Sequence, residues 1–237
     1  QVAERAEDLD EARAEAGMKR AEEVMGVVPH EIDFERARLA MLRTLQQLQG
    51  RCPLAVIEGD QATDNDAARV RETGVAALQI NTGKGCHLDA RMVARSLGSL
   101  PLPTGGVLFI ENVGNLVCPA GFDLGEAHKV VLASVTEGED KPLKYPNMFA
   151  ASDLLLVSKV DLLPHLRFAV DALITNAHRV NPRIEIIQIS AETGAGFDEW
   201  LAWIDRERLG ARSPLIATAT SADLAAARSS QFPPARV

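Results

Sequence analysis

Leu54-Ala55-Val56-Ile57-Glu58-Gly59-Asp60 is the segment from which the rest of the chain is best read. An unbroken apolar run that ends in a glycine between two carboxylates reads as a strand buried on both faces, closed by a polar loop. The same grammar recurs downstream at Ala76–Ile80, Val107–Ile110, Val130–Ser134, Leu154–Val157 and Glu185–Ile189. Between these runs, Ala67–Thr73, Ala90–Leu97, Asn147–Ser152, Phe168–Val180 and Phe197–Asp205 carry apolar residues at helical spacing. Near-continuous apolar strands alternating with helices predict an α/β fold around a mostly parallel, doubly wound sheet. In such sheets ligands bind beyond the carboxyl ends of the strands. The unusual polar motifs of this sequence all follow those ends.

Upstream, Glu31–Gln49 carries Phe34, Met41, Leu42, Leu45 and Leu48 on one helical face, and Gly50 suits its C-terminal cap. Gln1–Gly26 is rich in Glu, Ala and Arg with a thin apolar face, a solvated helix that Pro29 ends. After about Arg208 the chain turns to Ala, Ser, Thr and Pro, the composition of a mobile tail. The expected organisation is therefore a helical segment over 1–50, an α/β domain over 51–207 and a flexible tail over 208–237. Aromatics are only 4%, so the core must rest on Val, Leu, Ile and Ala. A net charge of −8 argues against a nucleic-acid partner, whose phosphates need neutralising. No apolar run is long enough to span a bilayer and no signal-peptide stretch is seen, so the cytoplasm is expected. Reduced cysteines are expected there, which favours Cys86 and Cys118 as ligands or core residues over a disulfide.

Four loops carry candidate nucleotide chemistry. Asp60, just past the first strand, is placed to hold Mg²⁺ or orient water near a phosphate; the alternative is a turn in which Asp64 or Asn65 caps the next helix. Phe109-Ile110-Glu111-Asn112-Val113-Gly114-Asn115 puts an acid at a strand end and a glycine three positions on, the shape of a γ-phosphate-sensing loop with Glu for Asp. Ser158-Lys159-Val160-Asp161 has the form of a guanine-recognition loop, with Ser158 in place of the usual Asn. There the Asp161 carboxylate would accept two N–H groups of guanine and the Lys159 stem would lie across the base. Ile189-Ser190-Ala191-Glu192-Thr193-Gly194 follows the last strand and suits the final base contact, made by backbone N–H at Ser190 and Ala191. Two such loops after successive strands favour guanine over a plain strand-to-helix turn.

Cys86-His87 follows the second strand and Cys118 the third. If those strands lie side by side, the loops meet. Two thiolates and an imidazole suit Ni²⁺ or Zn²⁺ and exclude Mg²⁺ and Ca²⁺. Three ligands leave a position for water or for a second subunit. A buried cysteine with a satisfied histidine is the competing reading.

Asn81-Thr82-Gly83-Lys84-Gly85-Cys86-His87-Leu88, Glu111–Pro119 and Thr136–Pro146 together resemble the signatures of the hydrogenase-maturation nickel-insertion GTPases, within the hydrogenase/urease accessory G-protein family. The resemblance runs from about Cys52 to Asp205. It implies a P-loop GTPase type of fold, nickel or zinc at Cys86, His87 and Cys118 on a homodimer interface, and Mg²⁺ or γ-phosphate contacts at Asp60 and Glu111, beside the close backbone approach that Gly114 allows. It further implies GTP as cofactor, with guanine contacts at Lys159 and Asp161. The implied partners are the hydrogenase large-subunit precursor and other nickel-insertion accessory proteins. A urease-type accessory GTPase fits the cysteine signatures less well. The chain departs from the family chiefly at the phosphate-binding loop, and it also lacks the His-rich metal-storage arm of some relatives. Gly-x-x-x-x-Gly-Lys-[Ser/Thr] and its strand should precede Arg51, but Glu31–Met41 contains no glycine. Thr44–Leu48 reads as the back half of the P-loop helix. Hydrolysis is therefore expected to be impaired, and the alternative function is a non-hydrolytic metal-binding and docking module.

Overall fold

The computed structural model describes residues 31–60, 65–101 and 104–210. The helix expected over Gln1–Gly26 and the tail beyond Gly210 lie outside the described residues. In chain order the elements are α1 (Glu31–Leu48), β1 (Leu54–Asp60), α2 (Asn65–Glu72), β2 (Ala76–Asn81), α3 (Ala90–Leu97), β3 (Val107–Glu111) and β4 (Val130–Ser134). There follow α4 (Lys141–Lys144), α5 (Pro146–Ala151), β5 (Leu154–Ser158), α6 (Val170–Val180), β6 (Glu185–Gln188) and α7 (Phe197–Gly210). Short 3-10 turns occupy Cys118–Gly121 and Val160–His165. All six expected strands form. α7 runs on through Gly210, past the boundary where the tail was expected to begin.

Every pairing is parallel, and the strands form two sheets rather than one, ordered β2-β1-β3 and β4-β5-β6. Each is built around its most apolar strand. In β1, Val56 faces a cluster with Leu45, Val70 and Val75, while Ile57 faces Leu88, Val93 and Leu100 on the other side. In β5, Leu154 and Leu156 pack on Trp200, Leu201 and Ile204 of α7, while Leu155 and Val157 pack on Leu173 and Ala177 of α6. This period-two division of a continuous apolar run is what double winding requires. β3 is different: all five of its residues are half-buried, and its one ladder neighbour is β1.

One face joins the two sheets. Leu45 of α1 belongs to the β1 core and Leu48 to the β5 core, and both are fully buried. Each contributes roughly 1.5–3 kcal/mol of apolar burial. Val107, Phe109 and Leu132, from β3 and β4, pack on the same α1–α7 cluster. Trp200 Nε1 donates to Thr44 Oγ1 at 3.0 Å, and Arg51 is paired with Asp205. α1 is thus an integral layer of the α/β domain, although its sequence reads as a helical addition to it.

Candidate metal centre and nucleotide loops

β2 and β3 are not neighbours; β1 lies between them. The metal loops therefore meet by reaching over the end of β1, and the local sequence explains how. Asn81 Oδ1 accepts the Gly83 N–H at 2.7 Å, Gly83 sits at φ 60°, and the Gly85 N–H bonds Thr82 O at 2.9 Å. This tight turn folds the chain back over β1. Gly59 makes room for it, since a Cβ there would lie 2.7 Å from Leu88 Cγ. Beyond the turn, Asp89 caps α3 by accepting the Met92 N–H at 2.8 Å, which anchors the far end of the loop.

From the other side, Asn112 and Asn115 organise the segment after β3. Asn112 Oδ1 accepts the N–H groups of Leu88 and Val113, both at 2.9 Å. Asn115 Oδ1 accepts those of Val117 and Cys118, which winds Cys118–Gly121 into its 3-10 turn. The outcome is compact. The ligand atoms of Cys86, His87 and Cys118 all lie within 4.8 Å of one another. The two sulfurs are 2.6 Å apart, and Cys86 Sγ is 3.6 Å from His87 Nδ1. Both cysteines are partly buried free thiols. Phe122, an exposed aromatic, stacks on the His87 ring at 3.8 Å between centroids.

Electrostatics favour the neutral forms of Cys118 and His87. Burial, reinforced by the hydrogen bond and charge of Cys86, pushes the Cys118 thiol up to about 12. Burial also lowers the His87 pKa, against a smaller opposing pull from Asp89. Neutral imidazole is the form that ligates. Cys52 has no part in the site. It packs on the α1–α7 cluster, where burial raises its pKa.

The nucleotide loops lie at the carboxyl ends of both sheets. Asp60 and Glu111 end β1 and β3, and the Asp60 carbonyl accepts the Thr82 N–H at 2.9 Å. Lys159 and Asp161 begin the turn after β5. Lys159 is buried at φ 63°, the one positive φ outside glycine among the described residues. Its Nζ reaches Thr136 Oγ1 at 3.4 Å. Asp161 Oδ1 accepts the Ser190 hydroxyl at 2.5 Å, so the loops after β5 and β6 are linked directly. A cleft lined by Leu39, Ala40, Ser158, Lys159, Asp161 and Ala191 opens there, and neither Asp60, Glu111 nor Gly114 lines it. Arg43 of α1 donates to the carbonyls of Ala191 and Glu192 and stacks over Phe197, bracing the last loop.

Residues 39–188 match the family described as CobW/HypB/UreG, nucleotide-binding domain. The chain belongs to that family. Among relatives, "Hydrogenase maturation factor HypB" of Azotobacter vinelandii is 68% identical over 168 residues, covering 71% of this chain and 55% of the relative. The protein of the same name from Escherichia coli (strain K12) is 63% identical over 168 residues, covering 71% and 58%. The crystal structure of HypB from Helicobacter pylori in complex with nickel superposes with a TM-score of 0.69 at 35% identity, covering 76% of this chain and 85% of that one. The chain thus spans little more than half the length of the first two relatives. Residues 7–49 match a second description, ATP synthase, Delta/Epsilon chain, long alpha-helix domain. That match overlaps the family's over residues 39–49, the C-terminal part of α1 and the residue after it. Where a family member should carry its phosphate-binding loop, this sequence follows a long-helix pattern.

The residues that build the metal loops, Asn112, Asn115 and Phe122, had no assigned role on sequence grounds. Two of them stood inside a quoted motif, but an amide's partners are set by the loop's path.

Proposed function

We propose that this chain handles nickel for [NiFe]-hydrogenase maturation, as a guanine-nucleotide-linked metallochaperone module in which GTP hydrolysis is impaired. One observation carries the reading: Cys86, His87 and Cys118 converge within 4.8 Å although β1 separates their strands. Ni²⁺ is the cargo, and Zn²⁺ suits the same donors. Two sulfurs and one imidazole leave a coordination position open, which favours hand-over above permanent storage. A second copy of the chain would fill or bridge that position, giving a metal-dependent homodimer. The receiving partners are the hydrogenase large-subunit precursor and its other accessory proteins, in the cytoplasm.

On the nucleotide side, Asp161 and Lys159 recognise guanine, with backbone N–H groups at Ser190 and Ala191. Asp60, Glu111 and Gly114 are the groups that would face Mg²⁺ and the γ-phosphate of GTP. Phosphoryl transfer rests on positioning and charge stabilisation around the β- and γ-phosphates. The N–H nest and lysine that supply these in a P-loop are not encoded in Glu31–Cys52. Two carboxylates alone repel a triphosphate.

Titration of Ni²⁺ and Zn²⁺ into the protein and a Cys118→Ala variant tests the metal reading, and equal affinity in both removes Cys118. Sedimentation with and without Ni²⁺ tests the dimer. A strictly monomeric loaded species refutes the shared site.

A further inference from the structure

The two thiol-bearing loops approach from opposite sides of β1, so something must hold them together before a metal does. One side chain touches the main chain of both cysteines. Asn115 Nδ2 donates to the Cys86 carbonyl at 2.6 Å, while its Oδ1 accepts the N–H groups of Val117 at 3.1 Å and Cys118 at 2.9 Å. Asn112 reaches one residue beyond the pair, to Leu88.

The carboxamide is suited to this place chemically. A short donor arm and an acceptor arm on one planar group can face a carbonyl on one loop and two N–H groups on the other. Threonine and serine are too short to face both loops, and a carboxylate has no donor. The bridge fixes backbone atoms, so it sets the separation of the Cα–Cβ bonds from which both sulfurs project. Without it, each loop would pivot on its own turn. Cation binding would then bear the entropy of ordering both.

We propose that Asn115 is the positioning residue of the metal centre: it pre-assembles Cys86 and Cys118 for a soft divalent cation, without being a ligand itself. The proposal rests on the metal reading above and deepens it.

Asn115→Asp is the informative substitution. It keeps the acceptor arm, and so the turn at Val117 and Cys118, but sets an oxygen against the Cys86 carbonyl. Two readouts on the full chain, with Cys52→Ser as background, test the proposal. Ni²⁺ titration, followed by the thiolate-to-nickel charge-transfer band, should show affinity falling by about 10–100-fold, the usual loss when a group orienting a ligand is removed. The band should also change shape. The metal-free protein supplies the second readout, with a diazene oxidant such as diamide. Cys86 and Cys118 each give up a proton and an electron, one S–S bond forms, and the diazene is reduced to a hydrazine. That step should slow about tenfold in the variant, because the sulfurs no longer rest together. Asn115→Leu should behave likewise, and if it fails to fold the Asp variant still decides. Wild-type affinity, band and oxidation rate in Asn115→Asp would overturn the proposal. Cys118→Ala separates the two levels: if it binds Ni²⁺ as the parent does, the metal reading fails, whereas if it loses Ni²⁺ and Asn115→Asp does not, only the positioning role fails.

Discussion

Replacing Thr44 by Val tests whether α1 is a true layer of the fold. The two side chains are near in volume, both are β-branched, and their helix propensities are similar, so α1 itself should be little disturbed. What changes is a single atom. Thr44 Oγ1 is buried; it donates back to the Ala40 carbonyl at 2.7 Å and accepts the Trp200 indole N–H at 3.0 Å. The Ala40 carbonyl is in the helical ladder and loses little. The indole N–H loses its partner inside the α1–α7 cluster and cannot reach water. Leaving a buried donor unsatisfied costs about 1–3 kcal/mol. For a domain of this size that corresponds to about 2–4 °C in Tm for each kcal/mol. The assay is urea unfolding of Thr44→Val, Trp200→Phe and the double variant. Trp200→Phe carries its own packing loss, but it also removes the stranded donor. Adding Thr44→Val to it should therefore cost almost nothing, a coupling of about 1–3 kcal/mol. Equal costs of Thr44→Val in both backgrounds would show that α1 does not engage α7 through this bond.

Three further outcomes are expected. Ni²⁺ uptake at pH 8 should release close to one proton from Cys118, because its pKa of about 12 keeps the free thiol protonated while the metal binds thiolate; affinity then rises with pH, and calorimetry in buffers of differing ionisation heat measures it. Gly196→Ala should destabilise by roughly 2 kcal/mol or more, since φ is 73° and a Cβ would strike the Gln188 carbonyl; Gly194→Ala, whose Cβ meets the movable end of Arg43, should cost less in the same urea experiment. GTP, GDP and guanosine should bind with similar affinity and GTP turnover should stay at background, because Asp60, Glu111 and Gly114, the groups proposed to face the phosphates, do not line the cleft beside Lys159 and Asp161; Mg²⁺-dependent phosphate release that is lost in Asp60→Ala would contradict this.

The strands were legible because a continuous apolar run such as Leu54–Ile57 or Leu154–Val157 has few other uses in a chain of this length. The grouping of Cys86, His87 and Cys118 was legible too, since Cys-His and Cys after strand ends are unusual residue types in suggestive places. The strand order was not. Laying β2 beside β3 gave the right meeting of loops for the wrong reason, because periodicity shows which faces are buried and says nothing of neighbours. The turns at Cys118–Gly121 and Lys141–Lys144 are too short to show a period. Asn115 was invisible as an organiser, because its partners belong to two loops brought together by the fold.

The division of the strands into two ladders has a dynamic consequence. Hydrogen bonds run unbroken from β2 to β3 and again from β4 to β6, and among the described residues no ladder crosses between β3 and β4. Each half can therefore open without breaking the other's ladder, opposed by side-chain packing on α1 and α7 and by contacts such as Trp200–Thr44, Arg43–Ala191 and Arg51–Asp205. Amide protons should exchange as two cooperative blocks with separate protection, Ala55–Ile57 in one and Leu154–Val157 in the other. Cys86, His87 and Cys118 stand beyond the end of the first block, and the loops of Lys159, Asp161 and Ser190 beyond the end of the second. Between them runs the seam where no ladder crosses, and the exchange experiment reads whether the two halves part there.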